Sequence, residues 1–424
     1  MMNVTINNVT EVDKEVEISS SNDELAPHFE DAYKRYQQTA LLKGFRKGKA
    51  PLSMIKQVYG ESIRYTALDR IANDLYREAM QARDIRPIGD PVLTTIDYTP
   101  ENGLNFKIKY EVLPVFELGR YTGISVEKPV HLITDEELND ELDRIRRSNS
   151  TLADAVKVSG PHTLVTVDIQ ELDGGASPLV GRKTTDAKLY LADTSVFKEI
   201  REKLIGADLN ARVRMTVEPA GGEQGGKRHL EVFLKQIKDV ILPEITDEFV
   251  NKITRGKTSG VEGFRNELKE SITKYWDDRS RRRTLDAITS EIVGRHRFTV
   301  PESLVRAYTD SLIEDVKHRS PDRRLPDGFD EQQFREENRG GVIFQAKWHL
   351  IRERIIADSG LEITEEDYQR FAERDAAVIG VEKERLAAMY RDSPQTRERL
   401  LGDKLNDYLL SNAEVTEKTT TEFF

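Results

Sequence analysis

Apolar residues recur along the chain at two spacings, and the spacing changes by region. Near the N-terminus Val4 and Ile6, then Val16 and Ile18, alternate with polar residues, the period of a half-buried strand. Leu25, Phe29, Ala32, Tyr33 and Tyr36 then fall on one face of a helix. Pro27 is placed in that helix's first turn, where a missing N–H costs little. Pro51 reads as the first residue of a new helix, with a stop at Gly60, and residues 61–83 read as the next one through Ile63, Ala67, Ile71 and Leu75. Strands are expected at 92–96 and 104–113, joined by a turn at Asn102–Gly103, with Phe106, Ile108, Tyr110 and Val112 alternating in the second. The first 115 residues therefore read as an α+β unit.

Pro114, Gly119, Gly123 and Pro129 read as a linker. Thr134 and Glu137 have the spacing of a capping box for a helix through Leu138, Leu142 and Ile145. Between 155 and 240 the period shortens again: Val165, Val167 and Ile169 alternate, as do Val213, Met215 and Val217, and Leu230, Val232 and Leu234. One helical stretch holds Phe197, Ile200, Leu204 and Ile205, and glycine pairs at 174–175, 221–222 and 225–226 supply turns. From Pro243 onward the pattern is helical. Ser259 and Glu262 cap a long helix carrying Phe264, Leu268, Ile272 and Trp276, then Leu285, Ile288 and Ile292. Pro301 opens another with Leu304, Tyr308, Leu312 and Val316; Phe344, Trp348, Ile351 and Ile355 stripe a third. Thr364 and Asp367 cap a fourth, and a fifth runs from Pro394 to Ser411. No fixed repeat of the solenoid type recurs. The polar tail VTEKTTTEFF is expected to fray.

Charge sharpens this picture. Lys and Arg number 64 against 75 Asp and Glu, a formal net charge of -11, which excludes wholesale coating of nucleic acid but not a local basic patch. Charged residues at 33% and aromatics at 7% suit long solvated helices with thin apolar stripes. The absence of cysteine excludes disulfides, thiolate metal sites and cysteine nucleophiles. The seven histidines have no metal-ligand spacing, so neither a metal nor another cofactor is expected. MMNVTINNVT has no basic region followed by an apolar one, and no apolar run approaches the roughly 18 residues of a membrane span. The reading is a soluble, cytoplasmic protein without a membrane partner. The basic stretch RSRRR at 279–283 reads as a solvated helix face.

One segment departs from the acidic background. Residues 43–51, KGFRKGKAP, crowd Lys43, Arg46, Lys47 and Lys49 around Gly44, Phe45 and Gly48. It is not a phosphate-binding P-loop, because the glycines are four apart and Ala50 follows Lys49 where a hydroxyl is required. Glycines let such a loop approach a surface closely. Cations around one aromatic suit RNA phosphates and aromatic docking.

The run from Gly44 to Pro51 closely resembles the ribosome-docking signature of the bacterial trigger factor family. The resemblance continues in order through Tyr59–Gly60, residues 84–91 (DIRPIGDP), 126–129 (VEKP), 133–135 (ITD), 242–244 (LPE), Val300–Pro301 and 415–418 (VTEK). It implies a multidomain α+β protein. Residues 1–115 would form a ribosome-binding domain, and 116–154 a linker and a helix that packs with the C-terminal domain. Residues 155–242 would form an inserted FKBP-like, β-rich domain, and 243–424 an all-α chaperone domain with arms. The resemblance assigns ribosome binding to Gly44, Phe45, Arg46, Lys47, Gly48, Lys49 and Pro51. It implies contact with an exit-tunnel protein and rRNA, nascent and unfolded polypeptides as further partners, and leaves open a homodimer when the protein is off the ribosome.

The middle region departs from that family. An FKBP-type prolyl isomerase works in an apolar pocket lined by several aromatics, and here 151–240 holds only Tyr190, Phe197 and Phe233. Val167-Asp168-Ile169 stands where the family has Val-Asp-Phe, and Lys198-Glu199-Ile200-Arg201 falls where it has Pro-Gly-Phe-Glu. Tyr190, Phe197, Phe233 and Asp168 are thus candidates for a vestigial pocket, and isomerase activity is expected to be weak or absent. The leading expectation is an ATP-independent chaperone that docks at the exit tunnel and shields nascent chains. The alternatives are a soluble FKBP-type prolyl isomerase whose helical domain recruits substrate, and a ribosome-assembly or folded-protein binding factor.

Overall fold

The computed structural model describes residues 2–218 and 227–424, and the glycine pairs expected to turn the chain at 221–222 and 225–226 lie outside them. The chain divides into two compact units, Met1–Lys128 with Arg282–Thr416 and Pro129–Arg281 with Glu417–Phe424.

The first unit begins with β1 (Asn3–Asn8), β2 (Asp13–Ser20), α1 (Asn22–Thr39), α2 (Leu52–Gln81), β3 (Ile88–Thr99) and β4 (Gly103–Glu111). The strands make an antiparallel sheet in the order β1-β2-β4-β3. Val16 lies opposite Ile108 and Ile18 opposite Phe106. The period of two sends all four to one face, where Leu25 and Phe29 of α1 and Ile55 and Leu75 of α2 cover them. Two helix boundaries differ from the sequence reading. Helix α1 starts at a Ser21–Glu24 capping box, so Pro27 sits inside the helix and not in its first turn. Pro51 is the N-cap of α2, not its first residue, and the helix runs unbroken through Gly60. One glycine costs only about 1 kcal/mol in a helix, and Ile55 and Ile63 on either side of it are buried.

The stretch read as a linker contains a strand, β5 (Ser125–His131), and α3 (Asp135–Ser148) follows. Thr134 accepts from Glu137 N at 3.1 Å, but the Glu137 carboxylate does not return to Thr134; it goes to His131 and Trp276. Only half of the expected capping box is made. Then come β6 (Thr151–Ala155), β7 (Thr163–Leu172), β8 (Pro178–Tyr190), α4 (Lys198–Leu204), β9 (Arg212–Val217) and β10 (Arg228–Ile241). The strands form a five-stranded antiparallel sheet in the order β6-β10-β7-β8, with β9 beside the first half of β10. Val165, Val167, Val232 and Leu234 face α4, whose Ile200 and Leu204 close that core. The alternation of β7, β9 and β10 was legible in the sequence; β6 and β8 were not.

Helix α5 (Asp247–Thr254) also escaped the sequence reading, and its Asp247 accepts from Val261 N at the start of α6 (Gly260–Arg295) at 2.8 Å. In the first unit α7 (Glu302–Arg319), α8 (Glu331–Ser359), α9 (Glu365–Ile379), α10 (Lys383–Asp392) and α11 (Pro394–Ser411) follow. Ile288 and Ile292 of α6, Ile351 and Ile355 of α8 and Leu405 and Leu409 of α11 share a core with Ile124. Phe371, Leu386 and Leu400 hold α9, α10 and α11 in a second one. On α7 the fully buried row is Val305, Thr309 and Ile313, one position along from the expected stripe, which is half-buried. On α8 Val342 and Ala346 are buried, whereas Phe344 is exposed.

The tail corrects the expectation of fraying. Glu414–Thr420 is a strand, β11, paired with β5. Glu414 N donates to Ile124 O at 2.9 Å, and Leu132 N donates to Thr420 O at 2.8 Å. Beyond it, Phe423 stacks on Trp276 with ring centroids 5.5 Å apart.

Candidate functional site

The basic run is built as a braced tip between α1 and α2. Helix α1 stops at Ala40, whose ψ of 136° takes the chain out of the helix. Phe45 N donates to Leu42 O at 3.0 Å, and Lys49 N donates to Arg46 O at 2.9 Å, so two tight turns follow one another. The base is tied at two points: Gly48 N donates to Ala40 O at 3.3 Å, and Gln37 Nε2 donates to Ala50 O at 2.6 Å. Ala50 is buried, which pins the end of the loop to the sheet-and-helix core. Gly44 and Gly48 both have positive φ, 96° and 77°. At Gly48 a Cβ would also come within 3.0 Å of the Gln38 carbonyl oxygen, so this glycine is required twice over.

The side chains point outward. Lys43, Arg46, Lys47 and Lys49 are all exposed, and none has a carboxylate partner among the described residues. Two carboxylates of α1 are engaged by other cations: Asp31 with Lys34, and Glu30 with Lys56. Phe45 is 39% exposed, so it is not sealed in the core. The cost of desolvating clustered like charges is avoided here by leaving them in water, where an anionic surface can meet them. Leu41, 76% exposed at the foot of the same loop, carries neither charge nor ring to mark it in the sequence. Met54 and Val58 on the first turns of α2 are exposed as well.

The four middle-region candidates separate. Tyr190 and Phe197 line one cavity of about 710 Å³ between β8 and α4. Asp168 and Phe233 do not line it; they lie directly opposite each other on β7 and β10, on the face of the sheet turned away from Val167 and Val232. Arg212 covers the Phe233 ring at 5.2 Å. Asp168 accepts from Asp186 N at 3.0 Å and pairs with Lys235 at 3.5 Å. The backbone hydrogen bond from Asp186, with Lys235 beside it, holds that carboxyl below its usual range. The Tyr190 hydroxyl is 2.7 Å from His162 Nδ1, and burial raises its pKa. The cavity therefore keeps two aromatics, one of them already bound at its polar end.

Residues 2–145 match the family described as bacterial trigger factor protein, and residues 260–411 match the C-terminus of that family. The chain is 30% identical to the trigger factor of Salinibacter ruber over 444 aligned positions, covering 100% of this chain and 96% of that one. It is 30% identical to the trigger factor of Chloroherpeton thalassium, covering 96% of each chain. The chain belongs to the bacterial trigger factor family. Both family matches fall outside the middle region, and the loop at 43–51 lies inside the first. Among the described residues no helix is long and apolar enough to cross a membrane.

Proposed function

We propose that this chain is a ribosome-associated, ATP-independent chaperone of the cytoplasm that shields nascent and unfolded polypeptides. The observation that carries the reading is the tip at 43–51: a loop braced at its base, with four exposed cations around a partly exposed Phe45 on a protein of net charge -11. An acidic body is repelled by rRNA except where positive charge is concentrated, and this loop concentrates it on a protruding turn with an aromatic at its centre. In this reading Arg46, Lys47 and Lys49 meet rRNA phosphates, and Phe45 inserts against a protein of the exit tunnel. Gly44, Gly48 and Pro51 shape the loop that presents them.

The reading divides the chain by role. Residues 1–115 dock, 155–242 form an FKBP-like domain with a degenerate pocket, and 243–424 together with 116–154 hold clients through long helices. Weak contact at many spots suits a client surface, because a tight pocket would select one sequence. Micromolar affinity, about -8 kcal/mol, permits release without a nucleotide.

The test is co-sedimentation with ribosomes, comparing the wild-type chain with a Phe45→Ala/Arg46→Ala/Lys47→Ala variant, run beside suppression of client aggregation. The variant is expected to stay in the supernatant while still suppressing aggregation. Wild-type binding is expected to weaken steeply with added salt, as phosphate contacts do. Equal pelleting of the two proteins would remove the docking assignment, and failure of the wild type to slow aggregation would remove the chaperone assignment.

A further inference from the structure

The cavity between β8 and α4 has a rim that a prolyl pocket does not need. Arg182, Lys183 and Lys188 of β8 and Arg228 of β10 line it, against two carboxylates, Glu171 and Asp193. Arg182 is 3.2 Å from Glu171, and Lys183 reaches Asp168 only at 3.9 Å. Lys188 and Arg228 are exposed and have no carboxylate partner among the described residues. The floor is apolar: Ile169, Leu189, Ile200 and Leu230 line it, and Phe197 at its edge is 41% exposed.

We infer that this cavity is a client subsite for extended polypeptide segments in which an aliphatic or aromatic side chain is flanked by Asp or Glu. The inference rests on the chaperone reading above. The apolar floor takes the side chain, and burying it is favourable in proportion to the area removed from water. The rim sets the sign of the flanking charge, because Lys188 and Arg228, without a carboxylate partner among the described residues, attract carboxylates and repel lysines. The site thereby exchanges the aromatic box of an isomerase for charge selection. A nucleic acid suits it less well. Single-stranded RNA uses several aromatics for stacking, whereas here Phe197 alone is exposed for it, and Glu171 and Asp193 would repel phosphates.

The test uses the full-length chain and short fluorescent peptides that share their Leu and Phe residues but carry acidic, neutral or basic flanks, with binding read by anisotropy. The acidic peptide is expected to bind about fivefold more tightly than the neutral one, the range available to two exposed charge contacts, and the basic peptide most weakly. Lys188→Glu/Arg228→Glu is expected to reverse that order, and Lys188→Gln/Arg228→Gln to flatten it. Both variants leave the core untouched, which a thermal melt equal to the wild type's confirms. A photo-reactive acidic peptide is expected to crosslink to residues 164–200 or to Val217, Arg228 or Leu230, which line the cavity. Absence of an acidic preference, its survival in the charge-reversed variant, crosslinks elsewhere, or displacement of the peptide by an unstructured RNA oligonucleotide would each overturn the inference. If any of these occurs while client aggregation is still suppressed, only this inference falls; if aggregation is not suppressed either, the chaperone reading falls with it.

Discussion

The indole Nε1–H of Trp276 donates to Glu137 Oε1 at 2.8 Å, joining α6 to the first turn of α3. The other carboxylate oxygen lies 2.8 Å from His131 Nε2, and the His131 ring stacks on Trp276 with centroids 4.2 Å apart. Burial pushes the Glu137 carboxyl up, but the hydrogen bonds from His131 and Trp276 outweigh it and hold the pKa below the usual value. A depressed folded-state pKa adds stability that is complete above the unfolded value, about 4.3, and is lost as pH falls through the folded one. Glu137→Ala is expected to cost about 2–4 kcal/mol near neutrality, since it leaves two buried donors without an acceptor. Urea unfolding followed by tryptophan emission in a Trp348→Phe background reads this, and the gap to the parent is expected to narrow below about pH 4. A gap that stays constant with pH would show that the carboxylate charge is not what holds the indole.

The same pair shows what a sequence can and cannot disclose. Thr134 and Glu137 have capping-box spacing, yet the carboxylate is taken by Trp276, a residue with no local signal that it would be near. The long helices were legible where apolar residues kept one face over several turns, because that face is a local property of the chain; the short α5 and α10 offered too few turns to show one. Glu414–Thr420 lies almost wholly in solvent, so no alternation announces β11, and only its partner β5 makes it a strand. Strand β8 was missed for a similar reason: its first nine residues are exposed. The charges and the aromatic of the basic tip were legible because nine consecutive residues carry them. The middle-region candidates were not separable, because the face each strand residue takes depends on register, and the β7–β8 and β7–β10 pairings are both interrupted by irregularities.

The two loop glycines are predicted to differ. At Gly44 an added Cβ meets nothing within 4 Å, so Gly44→Ala carries only the strain of a positive φ, about 1 kcal/mol. At Gly48 the same strain is joined by a contact of 3.0 Å with the Gln38 carbonyl, which is backbone and cannot swing aside. Gly48→Ala is therefore expected to displace the tip and weaken ribosome co-sedimentation well beyond Gly44→Ala, with little change in the melting of the domain. Equal losses for the two variants would mean that the tip's position does not depend on the tie between Gly48 and Ala40.

Truncation after Ala413 is expected to destabilise the protein, contrary to what a polar tail suggests. It strips β5 of its paired strand and removes Phe423 and Phe424 from the face of Trp276. A red shift of Trp276 emission, read in a Trp348→Phe background, and faster limited proteolysis between 125 and 135 are the expected signs. Phe423→Ala alone should reproduce most of the emission change and little of the proteolysis, since it leaves the strand in place. A truncated chain that resists protease as well as the full one would return the tail to a passive role.

Prolyl isomerase activity is expected to be weak. Rotation about the peptide bond faces a barrier of about 18–20 kcal/mol, and the cavity offers Tyr190, already bound to His162, and Phe197, which is 41% exposed. In a proline-limited refolding assay the full chain should accelerate the slow phase far less than an active FKBP domain does. Phe197→Ala should leave that rate nearly unchanged. Acceleration that matches an active FKBP and collapses in Phe197→Ala would reinstate the cavity as a working isomerase site.

Ser303, in the first turn of α7, is held from two sides. Its N–H and Oγ–H both donate to one oxygen of Glu111, at 2.8 and 2.6 Å, so the end of β4 caps a helix whose own N-cap, Pro301, has no side-chain acceptor. From the other side Gly89 of β3 presses on it: a Cβ there would stand 2.5 Å from Ser303 Cβ, and φ is 64°. Glu111→Ala is expected to cost about 1–2 kcal/mol, the range for a lost N-cap. Gly89→Ala should cost more than Gly44→Ala, because the clash adds to the strain. Either change moves Ser303 away from the sheet and so removes part of what the other would disrupt. The double variant should accordingly lose less stability in urea than the two single losses added together. Strict additivity would show that the cap and the close approach act independently, and that α7 is not fixed to the sheet through this one serine.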